Sequence, residues 1–137
     1  MSFVARRAVR FAHVDAAGIV FYPRYFEMLN ATVEDFFAGH VGVDFATLHL
    51  KRGLAIPTVK LDVDFVAPSR LGETLAFHLT VERVGDSSLH LTVEVRCGDT
   101  VRLRAAVVIV SMAMATGRSQ PWPDDIRAAL LKPVDAA

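Results

Sequence analysis

From residue 59 to residue 114 the chain alternates. Val59, Leu61, Val63 and Phe65 are separated by Lys60, Asp62 and Asp64; Leu75, Phe77, Leu79 and Val81 by Ala76, His78 and Thr80; Leu89, Leu91, Val93 and Val95 by His90, Thr92 and Glu94. A period of two marks strands with one buried and one wet face. Gly85-Asp86 and Gly98-Asp99 fall between them as hairpin turns. The strand expected over residues 101–114 is apolar on both faces from Ala105 on, as a central strand would be.

Upstream the period changes. Phe26, Leu29, Val33, Phe36 and Phe37 recur at three- and four-residue steps, which predicts one wide apolar stripe on a helix from residue 23 to about residue 37. Pro23 suits the first turn, where its missing N–H costs nothing, and Gly39 is the expected stop. Residues 3–11 alternate less cleanly and predict a first strand. Asp44 is expected to cap a short helix that runs to about residue 52 and closes at Gly53. Residues 117–123 predict a surface loop and residues 124–131 a short terminal helix. A strand, a long helix and four further strands make an α+β order: a five-stranded antiparallel sheet wrapped around one long helix, in a single domain over residues 1–137.

Composition narrows the function classes. Lys plus Arg equals Asp plus Glu, 15 each, so no net field draws in nucleic acid or an anionic membrane. The apolar fraction is 53%, yet no run approaches a transmembrane span, which places the excess in a subunit interface. A homo-oligomer is expected, a dimer at least. Cys97 is the one cysteine, excluding an internal disulfide, and the N-terminus lacks the apolar core of a signal peptide, so a cytoplasmic protein is expected. The five histidines show none of the spacings of a metal site. No metal or other cofactor is expected.

The candidate chemistry lies in residues 15–25, between the first strand and the long helix. Asp15 is followed by two alanines and Gly18, a composition suited to a tight loop in which glycine takes φ > 0 and the backbone approaches a ligand. That loop feeds the helix, so free amides near Tyr22 point outward at a helix N-terminus and favour negative charge. A carboxylate beside oriented donors is what acyl transfer needs: a nucleophile or base, and a site for the developing oxyanion. The competing reading of Asp15 is a turn aspartate bonded to its own backbone. His13 lies two residues before Asp15, and Glu27 and Glu34 on the helix are further carboxylates.

Asp15, Gly18, Ile19, Val20, Tyr22, Pro23 and Tyr25 resemble the signature Asp-x-x-Gly-[Ile/Val]-Val-x-[Tyr/His]-x-x-Tyr of hot-dog fold acyl-CoA thioesterases of the 4-hydroxybenzoyl-CoA thioesterase family. The resemblance spans nearly the whole chain. It implies a hot-dog fold, an acyl-CoA substrate, Asp15 as the catalytic carboxylate and the Tyr22 N–H as the group that polarises the thioester carbonyl. It also implies a tetramer built as a dimer of dimers. The acyl group is expected near Tyr25, Asn30 and Phe45.

Asn30 stands where the family's helix aspartate binds a phenol hydroxyl, so it offers a hydrogen bond without the charge. The basic residues of the family's turn between its third and fourth strands are replaced by Gly85-Asp86-Ser87. Arg83, Ser87, Ser88 and Arg118 remain as candidate contacts for the CoA phosphates. Tyr22 in place of the histidine of Tol-Pal-associated thioesterases favours an aromatic acyl group. The alternatives are a general or short-chain thioesterase of that type, a hot-dog hydratase or dehydratase, and a non-catalytic acyl-CoA-binding module.

Overall fold

The computed structural model describes residues 2–134. Strand β1 (Phe3–Ala8) leads through a 3-10 turn (Phe11–His13) to helix α1 (Tyr22–Phe36), followed by π-helical turns at Phe37–Val41 and Ala46–Lys51. Then come β2 (Leu54–Ala55), β3 (Thr58–Phe65), β4 (Thr74–Val84), β5 (Ser88–Cys97), β6 (Thr100–Val110), β7 (Met112–Ala113), β8 (Arg118–Ser119) and α2 (Asp124–Leu131). The five long strands form one antiparallel sheet in the order β1-β4-β5-β6-β3. This is the α+β architecture predicted from the periodicities, with α1 against the sheet.

The two periods meet in the core. Met28, Leu29, Val33 and Phe36 bury one stripe of α1, and Leu75, Phe77, Leu79, Leu89, Leu91, Val93, Val95, Leu103, Ala105, Val107 and Ile109 bury one face of β4, β5 and β6. Each large side chain removed from water contributes on the order of 1.5–3 kcal/mol before entropy is counted. Phe36 and Phe37 meet edge to face, with ring centroids 5.9 Å apart. His40 stacks on Phe36 and its Nε2–H donates to the carbonyls of Ala129 and Lys132 at 3.0 and 3.1 Å, which docks the end of α2.

Several boundaries differ from expectation for local reasons. The helical path does not stop at Gly39. A Cβ there would lie 3.3 Å from the Phe3 ring, so Gly39 serves close packing against β1. The stop is Gly42, at φ 83°, whose N–H donates to the Phe37 carbonyl. β1 ends at Ala8 because the next residue, Val9, turns inward and exchanges backbone hydrogen bonds with Glu73 and Gly72. β6 ends before Ser111, whose N–H goes to Ser87. Part of the predicted 117–123 loop, Arg118–Ser119, pairs with β7 in a small sheet with β2. Asp44 does cap the second helical turn, accepting from Thr47 N–H at 2.7 Å, and Gly53 follows it at φ 64°.

β3 departs most. It pairs only with β6 and forms an edge of the sheet, leaving Val59, Leu61 and Phe65 at 59%, 42% and 52% exposure. Among the described residues they are covered only in part, Phe65 by the rings of Tyr22, Tyr25 and Phe26.

Candidate active site

The loop of residues 14–21 is a small closed structure. Val14 and Val20 face each other as an antiparallel bridge, Asp15 N–H donates to Ile19 O, and Gly18 N–H donates to Asp15 O at 2.9 Å. Gly18 has φ 76°, and a Cβ there would meet nothing within 4 Å, so glycine serves the backbone conformation and not space. Asp15 Oδ1 accepts the Ala17 N–H at 2.9 Å, the self-bonded turn anticipated as the competing reading. Among the described residues nothing donates to Oδ2, and the side chain is exposed. One oxygen holds the turn and the other faces water.

The loop ends in the first turn of α1. Phe21 N–H donates back to His13 O, and Arg24 N–H to Phe21 O. Pro23 has no N–H. That leaves the Tyr22 amide, the first of the helix, without a carbonyl acceptor among the described residues. An unpaired amide at a helix N-terminus carries the positive end of the helix dipole.

A second segment, residues 69–71, fixes the loop from below. Val20 N–H donates to Ser69 O, Leu71 N–H to Gly18 O, and Ile19 bridges Arg70. This segment is itself clamped. Arg102 binds both oxygens of Glu73 at 2.8 and 2.9 Å and the Pro68 carbonyl at 2.9 Å, and Glu73 also accepts the Arg70 N–H. The Arg102 fork, helped by that amide, pulls the Glu73 carboxyl down from 4.5 to about 2. Tyr25 O–H donates to buried Ser69 at 2.8 Å, and burial pushes its phenol above the ordinary range.

Tyr25 is thus a support beneath the loop and lines none of the clefts around α1 described below. Asn30 and Phe45 do meet, on a cleft of ≈ 320 Å³ shared with His49 and Thr58. Asn30 also borders a neighbouring apolar hollow of ≈ 380 Å³ with Phe26, Leu61 and Val107. Asp15 and Tyr22 are not in the walls of either. Beside Tyr22 stands an aromatic group the sequence reading missed: Phe65 lies 6.2 Å from Tyr22, 6.0 Å from Tyr25 and 6.4 Å from Phe26 by ring centroids. Its only sequence signal is an aromatic end to the alternating run of β3. Glu27 is exposed and paired with Arg24 at 2.8 Å.

The four candidates for CoA contact lie around the β4–β5 hairpin and the small sheet beside it. Ser87 and Ser88 use their carbonyls to receive Ser111 N–H and Trp122 Nε1–H. Arg118 is exposed on β8 opposite Ala113, and Arg83 borders a separate cleft with Leu131 and Lys132. The turn itself supplies no basic side chain.

The fold recurs in known proteins. A family profile described as the thioesterase-like superfamily matches residues 9–130. The chain belongs to this superfamily. One relative, the 1,4-dihydroxy-2-naphthoyl-CoA hydrolase of Nostoc punctiforme, is 28% identical, over 92% of this chain and 84% of that one. The structure of a 1,4-dihydroxy-2-naphthoyl-CoA thioesterase from Synechocystis superposes with a TM-score of 0.83 at 22% identity, covering 95% and 96% of the two chains. A Staphylococcus aureus protein solved in complex with CoA superposes with a TM-score of 0.88 at 17% identity, covering 95% of this chain and 82% of that one. The expected hot-dog thioesterase fold is the observed one.

The clamp under the loop has a pH signature. The Glu73 pKa is lower in the fold than unfolded, so its stabilisation is complete above about pH 5 and is lost as pH falls toward about 2. Glu73→Gln is expected to lower the urea midpoint at pH 7 and to flatten its decline between about pH 5 and pH 2. Asp125, also drawn down to about 2 by Arg52, keeps part of the slope in both proteins. Identical slopes for parent and variant would exclude the clamp as a contributor.

Proposed function

We propose that this chain hydrolyses the CoA thioester of an aromatic acid, with Asp15 as the reacting carboxylate and the Tyr22 amide as the donor to the thioester oxygen. The observation that carries this reading is the bonding pattern of the loop. Asp15 Oδ1 is occupied by the Ala17 amide and Oδ2 is not, and the same loop ends at a helix-terminal N–H with no acceptor among the described residues. As general base, Asp15 would take a proton from water attacking the carbonyl carbon. As nucleophile, it would form an acyl anhydride that water then cleaves. In both routes the C–S bond breaks, the CoA thiolate leaves and is protonated, and charge on the carbonyl oxygen is met by the Tyr22 N–H.

An aromatic acyl group is supported by the walls available to it: Phe26, Phe65 and Tyr22 on one side, and Asn30 farther along the helix with Phe45 on the same cleft. The relatives' names, hydrolases of 1,4-dihydroxy-2-naphthoyl-CoA, point to the same ligand class with hydroxyls on its ring. Asn30 is the hydrogen-bonding partner proposed for such a hydroxyl.

The site is proposed to be completed by a second copy of the chain, in a dimer or a dimer of dimers. The exposed Val59, Leu61 and Phe65 on the unpaired edge of β3 support this, since an apolar edge strand is ordinarily paired or covered. Sedimentation velocity is expected to show a dimer or larger. A monomer with full kcat at nanomolar concentration would remove the shared site.

A CoA-release assay over aryl- and fatty acyl-CoAs tests the activity itself, and fatty substrates turned over as well as aryl ones would defeat the aromatic assignment. Asp15→Asn should lower kcat by at least roughly 10²-fold while substrate still binds, with Glu27→Gln much milder. Retention of more than about a tenth of parent kcat would correspond to under about 1.4 kcal/mol of lost transition-state stabilisation and would rule Asp15 out as the reacting group. Asn30→Asp is expected to raise the preference for a hydroxylated over an unsubstituted aryl thioester by about 1 kcal/mol, roughly fivefold in kcat/KM. An unchanged ratio would take Asn30 out of the acyl pocket.

A further inference from the structure

On the other side of α1, facing β1, lies a cleft of ≈ 520 Å³ that has no part in the reading above. Four arginines, Arg6, Arg7, Arg10 and Arg24, line it together with His13. The whole chain balances 15 basic against 15 acidic residues, so this concentration is local. Only two of the four are paired with carboxylates among the described residues, Arg7 with Asp35 and Arg24 with Glu27. Arg6 and Arg10 are not, and both are exposed.

Two further donors lack acceptors among the described residues. The Nε of Arg7 is buried with no hydrogen-bond partner, an arrangement that is rare unless a ligand or water completes it. His13 accepts the Arg10 N–H on Nδ1 at 2.9 Å, so the neutral ring carries its hydrogen on Nε2. The polar part of the wall is therefore mostly donors and positive charge, set beside Ala8, Ala12, Met28 and Ala31, and among the described residues Glu27 is the one carboxylate lining it. Guanidinium forks bind phosphate oxygens in pairs, which makes a phosphate-bearing ligand the matching chemistry.

We propose that this arginine cleft binds the phosphate groups of the CoA carried by the thioester substrate, a reading that rests on the thioesterase function proposed above. The cleft is lined by residues that flank both ends of the reacting loop. His13 lies two residues before Asp15 and receives Phe21 N–H on its carbonyl, and Arg24 lies two residues after Tyr22. A single ligand can then hold its thioester at Asp15 and Tyr22 and turn its phosphates around the start of α1 onto the arginines. The basic charge absent from the Gly85-Asp86-Ser87 turn is present here instead.

The test uses the full chain and the double variant Arg6→Ala/Arg10→Ala, two exposed positions. With benzoyl-CoA and benzoyl-N-acetylcysteamine as substrates, the variant is expected to lose at least about tenfold more kcat/KM on the CoA thioester than on the phosphate-free one, and Arg→Lys at both sites should recover part of that loss. An equal loss on both substrates, or none, overturns the site. Calorimetry with CoA reads binding without turnover: the parent should bind, and the variant at least about tenfold more weakly. Equal affinities, or no binding by the parent, also overturn the proposal. If CoA binds through these arginines but no thioester is hydrolysed, the hydrolase reading fails while the anion site stands. Dephospho-CoA separates the phosphates. A parent preference for CoA over dephospho-CoA that vanishes in the variant places the 3′-phosphate in the cleft, and one that persists while both ligands weaken places the diphosphate there.

Discussion

The Arg102 fork on Glu73 holds a segment that has almost no regular structure of its own. Residues 68–73 connect β3 to β4 across the end of the sheet, and their path is set by one bidentate ion pair, the Pro68 carbonyl and the Arg70 amide. Glu73 and Arg102 are only partly exposed, so solvent screens this pair less than the exposed pairs elsewhere on the surface. What hangs on it is the 14–20 loop, which donates a backbone hydrogen bond to Ser69 and accepts one from Leu71. A strand-like bridge, a buried phenol and an ion pair together give the proposed Asp15 site the rigidity that a loop of small residues lacks.

The helix divides the surroundings of that site. Its buried stripe lies on the sheet, which leaves two flanks with opposite character. The flank toward β3 is apolar and aromatic, with Phe26, Leu61 and Phe65. The flank toward β1 is arginine-rich. A thioester of CoA has the same division, an apolar acyl group on one side of the sulfur and an anionic nucleotide on the other. The N-terminal turn of α1, where Tyr22 presents its free amide, is the point at which the two flanks meet.

The sheet edge shows the same logic at larger scale. β1 is covered on its inner side by Gly39 and Phe36 packing on Phe3, whereas β3 leaves three large apolar side chains in water. A chain that is 53% apolar can leave such a strip uncovered only at the cost of solubility unless another surface meets it.

Much of this was written in local pattern. The alternation in β4 and β5 named the buried residues one by one, because a strand's side chains alternate whatever its neighbours are. The stripe of α1 did the same, and the Asp-x-x-Gly loop announced its turn through residues that favour it. Other features needed the folded chain. The spacing pointed to Gly39 as the helix stop, and only the approach of Phe3 and the left-handed backbone at Gly42 show that the first is a packing contact and the second the terminator. Nothing in the spacing of Glu73 and Arg102, or of Arg6 and Arg24, joins them; strand register and helix placement do so across long separations. Nor can alternation say whether a strand is central or at an edge, and for β3 that difference turns predicted core residues into exposed ones. Periodicity is a property of neighbours along the chain, while charge clusters, edges and supports are set by elements that meet only when the sheet closes on the helix.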